Sequence, residues 1–141
     1  GAASLPPVLA SAYVDPSDSQ SDFYLGLRGA LRNAGTALAS AGSDSVATIR
    51  ILADGASERV LTVSAGNIPT AYTLSYTVRI SVSASGRELI APEDHTMARE
   101  YSFDRTALLS KEREREALTA ALADELVTHV MRRLASLSGA P

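Results

Sequence analysis

The chain has 141 residues, of which 45% are hydrophobic, which is enough for one domain with a sizeable apolar core. Its net charge of −3 argues against a nucleic-acid binder, which would usually carry a basic excess. No cysteine is present, which excludes a disulfide framework, a thiolate nucleophile and a cysteine-ligated zinc site. Because no apolar run approaches the ~20 residues that span a bilayer, we expect residues 1–141 to form a single soluble domain.

The N-terminal third predicts a strand followed by a helix. Residues 1–7 are an extended lead-in around two prolines, and alternation then predicts a first strand over residues 8–14. A turn rich in helix-capping residues follows, and Gly35 is the expected left-handed cap at the end of the helix. The helix itself is indicated by an apolar stripe at three- and four-residue spacing, formed by Phe23, Leu27, Ala30, Leu31 and Ala34.

The middle of the chain predicts strands separated by turns. After a connection over residues 36–44, alternating apolar residues predict strands over residues 46–53 and 58–64, with Asp54-Gly55 as the turn between them. The strongest pattern runs from Tyr72 to Ser83, where six consecutive period-2 matches give one apolar and one polar face. Ser85-Gly86 is then expected to close a hairpin.

The C-terminal part predicts a returning strand and a long helix. The strand covers residues 88–103, with a bulge or an edge near Pro92, which has no N–H to donate. Asp104 is the expected N-cap of a helix over residues 106–137, and residues 138–141 are expected to form a disordered tail. The apolar stripe of the helix comprises Leu108, Leu118, Ala121, Leu122, Leu126, Val130 and Leu134. Together these elements predict an α+β two-layer sandwich, with two helices on the apolar face of a mostly antiparallel sheet of four to five strands.

Catalytic and metal-binding patterns are weak. His95 and His129 are the only histidines, stand 34 residues apart and lie in no metal-ligand register. No serine lies in a G-x-S-x-G elbow, and the glycines form no nucleotide-binding loop. The acids that alternate with arginines after Lys111 are typical of a solvated helix face. The sequence therefore predicts no catalytic residue, no cofactor and no metal.

Two surface features remain. The polar face of the long strand, with its Thr, Ser and Arg side chains, faces either solvent or a hydrated wall. Basic residues also gather where the last strand meets the last helix, and they are Arg99, Arg105, Lys111, Arg113 and Arg115. Such a group suits phosphates or carboxylates through charge-assisted bonds, and equally suits ordinary surface ion pairs.

Four segments follow one another from the long strand to the last helix: Y-x-L-x-Y-x-V from Tyr72, G-R-E-L after the hairpin turn, A-R-E-Y-S-F-D and A-L-L-S-K-E. In this order and spacing they resemble the LptE family of lipopolysaccharide-assembly lipoproteins. Weaker matches are L-P-P near the start and L-R-G-A-L-R-N-A-G in the first helix. The resemblance covers most of the chain, and residues 99–112 are its most specific part.

The resemblance implies a non-enzymatic protein on the periplasmic face of the outer membrane. It implies a lipid anchor on an N-terminal cysteine, which is absent together with the usual G-F-x-L-R stretch, so we expect the printed residues to begin just downstream. The implied partners are the LptD β-barrel, which the domain plugs, and lipopolysaccharide. Lys111 matches the family's basic residue at the start of the last helix, and Arg105 is a helper by proximity. The family's second basic position falls in a turn that is uncharged here, Ala65-Gly66-Asn67.

Two other interpretations stay open at this stage. A periplasmic accessory lipoprotein of another secretion or transport assembly would have a protein partner but no affinity for lipopolysaccharide. A small hydrolase would need a nucleophile and base pair that two separated histidines do not supply.

Overall fold

Two helices cover one face of a five-stranded sheet in this computed structural model, which describes residues 4–102 and 108–139. The elements in chain order are a 3-10 turn at Pro7–Leu9, β1 (Ser11–Asp15), α1 (Asp22–Asn33), β2 (Ala37–Leu38), β3 (Ala47–Val63), β4 (Pro69–Ala84), β5 (Arg87–Ser102), α2 (Leu108–Ala135) and a 3-10 turn at Ser136–Gly139. The strand order is β2-β1-β3-β4-β5. β1 runs parallel to β2 and β3, whereas β3, β4 and β5 are antiparallel. The predicted α+β sandwich with a mostly antiparallel sheet is confirmed.

The core lies against β4, whose alternation was the clearest pattern in the sequence. All six predicted inward side chains are buried: Tyr72, Leu74, Tyr76, Val78, Ile80 and Val82. The turn to β5 is the predicted two-residue hairpin, because Ala84 pairs with Arg87 and both Ser85 and Gly86 have positive φ. Positive φ at both central residues is what a type I′ turn requires, and its twist matches that of the flanking strands.

The prediction of two strands joined by a turn at Asp54-Gly55 is wrong, because β3 is one 17-residue strand. A bulge at Leu52 interrupts its register with β4, since Ile51 pairs with Ile80 and Ala53 with Arg79. One extra residue reverses the phase of a strand, so different residues face the helices before and after it. Ile51 is buried on the helix side before the bulge, and Asp54 lies on that side after it.

β5 carries the predicted bulge at Pro92 and is an edge strand. Glu93 pairs with Ile80 and Ile90 pairs with Val82, so Ala91 and Pro92 together lie opposite one residue of β4. A proline has no N–H for a ladder and is tolerated at such a position. The phase of β5 reverses here as well.

Both helices bury apolar stripes close to those predicted. α1 buries Phe23, Leu27 and Leu31, and Gly35 adopts the left-handed conformation expected of its cap. In α2 the predicted Ala121 is exposed, whereas Ala123 and Val127 are buried. A side chain at Gly26 would lie 3.1 Å from Val127 Cγ2, so this glycine permits the close approach of the two helices.

Several boundaries at the two ends of the chain differ from the prediction. The first strand begins at Ser11, because Pro7–Leu9 forms a 3-10 turn instead. The predicted connection over residues 36–44 contains β2, which pairs with β1. α2 ends at Ala135, and the 3-10 turn extends into the predicted tail as far as Gly139. The Asp104 cap lies outside the described residues, and the single-domain assignment stays a prediction.

A polar contact fixes the start of α1 on the sheet. Ser21 is the N-cap, and its Oγ accepts a hydrogen bond from the Tyr24 N–H at 2.9 Å. The same hydroxyl donates to Asp54 Oδ2 at 2.5 Å, and the Tyr76 hydroxyl donates to Asp54 Oδ1 at 2.6 Å. Burial, followed by the Asp54 carboxylate, raises the pKa of Tyr76, so the phenol stays protonated and remains a donor.

We expect Tyr76→Phe to lower the free energy of unfolding by about 1–2 kcal/mol, because Asp54 loses a donor in a partly buried position. Urea denaturation at pH 7 measures the change. Tyr13→Phe is the control for loss of a tyrosine hydroxyl, since Tyr13 is partly buried and its hydroxyl has no partner among the described residues. An equal loss in both variants would contradict a specific role of the Tyr76 hydroxyl.

Candidate functional site

A row of polar contacts joins β5 to α2 beyond the Pro92 bulge. The helix-side positions of β5 carry polar residues here, because the bulge has reversed the phase of the strand. Arg133 binds Glu93 through both Nε and Nη2 at 3.1–3.2 Å, and Arg99 binds Glu125. α2 therefore runs antiparallel to β5 and is fixed to it by charged side chains as well as by its apolar stripe.

Lys111 lies near the start of α2, at the opposite end of this row. Its Nζ is 4.4 Å from the centroid of the Tyr72 ring and 3.9 Å from Glu58 Oε2. The Tyr101 hydroxyl donates to Glu58 Oε1, and the Tyr72 and Tyr101 rings stack with centroids 5.5 Å apart. The Lys111 side chain is only 19% exposed, so sheet residues fix its direction.

The electrostatics of this position are those of a cation with a nearby carboxylate. A separation of 3.9 Å exceeds the ~2.7–2.9 Å of a charge-assisted hydrogen bond, so the contact with Glu58 is a Coulomb attraction, and the Tyr72 ring adds a cation–π contact. Among the described residues, the ammonium is therefore close to both a carboxylate and the face of an aromatic ring.

The predicted basic group is only partly assembled. Arg105 lies outside the described residues, so its place beside Lys111 stays a prediction. Arg99 contacts Glu125, which stands 14 residues, or about 21 Å of helix, beyond Lys111. Arg113 is exposed, and Arg115 lines a groove of about 530 Å³ together with the acids Asp22, Glu112 and Glu116.

The structure brings the two histidines together, contrary to the sequence interpretation. The rings of His95 and His129 meet edge to face with centroids 4.9 Å apart, and His129 is exposed on α2. His95 Nε2 lies 2.6 Å from Glu93 Oε2 but meets no hydrogen-bond geometry there. Only the alignment of α2 along β5 produces this pair, and no spacing in the sequence indicates it. Within residues 4–102 and 108–139, no group of three or more acidic and histidine side chains is arranged to hold a metal.

The sheet face opposite the helices is polar and uncovered by any described element. Thr77 and Thr96 face each other across β4 and β5 with their hydroxyls 2.8 Å apart, and Arg79 pairs with Asp94 at 3.2 Å. Serines and threonines continue along the same face of β4. In the described part of the chain, neither helix has the length and apolarity that crossing a membrane requires.

The architecture is that of a small α+β protein found among bacterial lipoproteins. It is shared with the crystal structure of rare lipoprotein B from Shewanella oneidensis, at 22% identity and a TM-score of 0.79, covering 92% of this chain and 96% of that one. The solution structure of lipoprotein B from Nitrosomonas europaea has 20% identity and a TM-score of 0.82, covering 99% and 90%. A minor lipoprotein from Acinetobacter baumannii has 19% identity and a TM-score of 0.75, covering 93% and 94%.

Residues 9–134 match the LptE family, described as lipopolysaccharide-assembly. The chain belongs to this family, and the resemblance inferred from its sequence is confirmed. Membership gives it a role in lipopolysaccharide assembly, within a family of non-enzymatic lipoproteins of the outer-membrane machinery. No curated protein sequence matches the chain.

We expect Glu93→Gln to lower the free energy of unfolding by about 1 kcal/mol at pH 7, a small value because both Glu93 and Arg133 are partly exposed. The hydrogen bonds from Arg133 hold the pKa of Glu93 below its usual range in the folded protein. A lowered folded-state pKa stabilises the fold above the pKa of the unfolded chain, and this stabilisation is lost as the pH falls through the folded-state value. The difference between wild type and Glu93→Gln should therefore shrink below about pH 4.

Urea denaturation at pH 7 and pH 3.5 measures both effects. Glu100→Gln, an exposed position on the same strand, is the matched control and should change stability little at either pH. A loss that is the same at both pH values would assign the effect of Glu93 to packing rather than to its charge.

Proposed function

We propose that this chain is a non-enzymatic partner of the LptD β-barrel in lipopolysaccharide transport, lodged in the barrel as a plug. The match to the LptE family over residues 9–134 carries the proposal. In this role the protein lies on the periplasmic face of the outer membrane, held by an N-terminal lipid anchor.

The open sheet face supports a plug. Barrel lumens are lined by polar side chains and water, so a domain inside one should present short hydroxyls and charges. The face around Thr77 and Thr96 has this chemistry. The two threonine hydroxyls bond to each other and Arg79 pairs with Asp94, so these groups have partners within the sheet face itself. Short hydroxyls also lose little side-chain entropy when they are ordered against a wall.

The histidine contacts support a role without catalysis. A hydrolase of this size would need a hydroxyl nucleophile hydrogen bonded to a histidine base. In the described part of the chain, His95 contacts Glu93 and His129, and neither ring is hydrogen bonded to a serine or threonine hydroxyl.

We further propose that the end of the sheet beside Lys111 binds lipopolysaccharide directly. Lipid A combines phosphate anions with acyl chains, so its site should combine a cation with apolar surface. Lys111 lies over the ring of Tyr72, and Tyr72 pairs with Val60 of β3. This end of β3 exposes three apolar side chains, Val60, Leu61 and Val63, so apolar surface lies close to the cation. Lys111 would bind a phosphate there, with Arg105 as a second cation.

For the barrel contact, we expect Thr77→Trp to reduce the recovery of LptD when the full-length lipidated protein is purified from native outer membranes. The indole adds bulk on the polar sheet face while keeping a residue type that suits a strand. Arg132→Trp, on the exposed side of α2, is the control for the added ring. Both proteins should keep the wild-type melting temperature.

Wild-type protein that recovers no large barrel, or that recovers components of another secretion assembly, would contradict the proposal. An unchanged yield of barrel with Thr77→Trp would show that the polar sheet face is not the contact.

For lipopolysaccharide, we expect Lys111→Gln to weaken binding by about tenfold or more, because a charged hydrogen bond contributes about 1.5–3 kcal/mol. Glu58→Gln should strengthen binding, since it removes the carboxylate that competes with the phosphate for Lys111. Titration of the purified variants with lipopolysaccharide measures both changes. Arg113→Gln, an exposed cation two residues further on, is the control for net charge.

The expected changes in affinity are opposite, a decrease for Lys111→Gln and an increase for Glu58→Gln. This difference, together with the Arg113→Gln control, distinguishes a local contact from general charge attraction. Equal weakening by Lys111→Gln and Arg113→Gln would indicate only a diffuse electrostatic effect. Unchanged binding with Lys111→Gln would remove Lys111 from the site and would leave the barrel contact standing.

A further inference from the structure

A pocket at the other edge of the sheet, between β1, the end of β2 and α1, has no role in the function proposed above. Its volume is about 230 Å³, and Tyr13, Tyr24 and Arg28 line it together with Val14 and residues 38–40. Pockets that hold whole small molecules usually measure ~300–1,000 Å³. The space therefore fits a group the size of one side chain better than a cofactor.

The chemistry of the lining favours an anion. Arg28 lies over the Tyr24 ring, with its guanidinium carbon 5.7 Å from the centroid, and is partly buried. Within residues 4–102 and 108–139 it has no carboxylate partner, unlike Arg50, Arg79, Arg99 and Arg133. The Tyr24 hydroxyl likewise has no hydrogen-bond partner in that part of the chain. The pocket thus has a planar cation and one hydroxyl donor from α1 available to a carboxylate, whereas Tyr13 lies on the opposite face of β1 from the buried Ala12 and Val14.

The backbone beside the pocket favours an extended peptide as the source of that carboxylate. The pairing of β1 with β2 stops at Ala12 and Leu38, although β1 continues to Asp15. The carbonyls of Ala10 and Ala12 accept hydrogen bonds from the N–H groups of Ala37 and Ala39, both at 2.8 Å. Backbone groups that point to the same side recur at every second residue of a strand, so those of Val14 point to the same edge as those of Ala10 and Ala12. Val14 lies at the pocket, beyond the end of β2.

We infer that this edge of β1 binds an extended segment of a partner protein, which places an acidic side chain in the pocket. The segment continues the sheet where β2 ends, so its backbone pairs with β1 at Val14. Its carboxylate accepts hydrogen bonds from the Arg28 guanidinium and from the Tyr24 hydroxyl. This is strand addition with one charged side chain for specificity.

The probe is the pentapeptide acetyl-Val-Thr-Glu-Thr-Val-amide, titrated to millimolar concentration into the ¹⁵N-labelled protein of 141 residues. We expect saturable shifts of the backbone amides of residues 13–15 and 38–40. Binding should weaken about tenfold when glutamine replaces the peptide's glutamate, and about tenfold in the Arg28→Gln variant, because each change removes one side of a charged hydrogen bond. Arg32→Gln, exposed one turn further along α1, should bind as wild type does.

Three results would overturn the inference. Equal binding of the glutamate and glutamine peptides would exclude the carboxylate from the pocket. Sodium acetate that produces the same shifts at the same concentration would reduce the site to one for a free anion. Shifts that depend on protein concentration alone would assign the edge to a second copy of the chain. Arg28→Lys keeps the positive charge without the planar guanidinium, so its affinity for the peptide should lie between those of wild type and Arg28→Gln. This variant tests the inference even if Arg28→Gln fails to fold.

Discussion

The alternating face of β4 is the constraint on which the rest of the structure depends. Its six inward side chains are buried along the middle of the sheet, between β3 and β5. A slip of one residue would place all six on the polar face, so the register of the central strand is strongly determined. Both helices must then lie on the same side of the sheet, because only that side offers an apolar surface for their stripes to cover.

The two strands that flank β4 do not follow its phase over their full length. The bulges at Leu52 and at Pro92 reverse the faces of β3 and β5, and beyond them charged side chains point toward the helices. There the Asp54 carboxylate accepts hydrogen bonds from the hydroxyls of Ser21 and Tyr76, and the Glu93 carboxylate accepts them from the guanidinium of Arg133. The helices are therefore held by apolar packing near the centre of β4 and by directional polar bonds around it. Polar bonds fix position more narrowly than apolar contact does, because their distances and angles are restricted.

The sequence determines the parts of this fold that depend on local pattern. The face of β4, the Ser85-Gly86 hairpin, the Gly35 cap and the bulge at Pro92 were all predictable from it, since each depends on the preferences of neighbouring residues. The continuation of β3 through Asp54-Gly55 was not predictable, because this dipeptide is a strong turn signal. The side chains that bond Asp54 inside the strand, Ser21 and Tyr76, are distant in sequence. The meeting of His95 with His129 also depends on tertiary alignment, with β5 and α2 in antiparallel contact. At the candidate site, the resemblance pointed to Lys111, but no pattern indicated that Glu58 and Tyr72 would hold it.

The contacts of Lys111 bear on how a cation at this place would serve in the proposed function. A lysine free in solvent has many rotamers, and binding a phosphate with it costs side-chain entropy of up to about 2 kcal/mol. Glu58 and the Tyr72 ring already restrict the Lys111 side chain, so much of that cost belongs to folding rather than to binding. In the proposed site the same carboxylate would compete with the incoming phosphate, and this would limit the affinity. A transport component benefits from this balance, because a lipid that binds at a prepared site must also leave it.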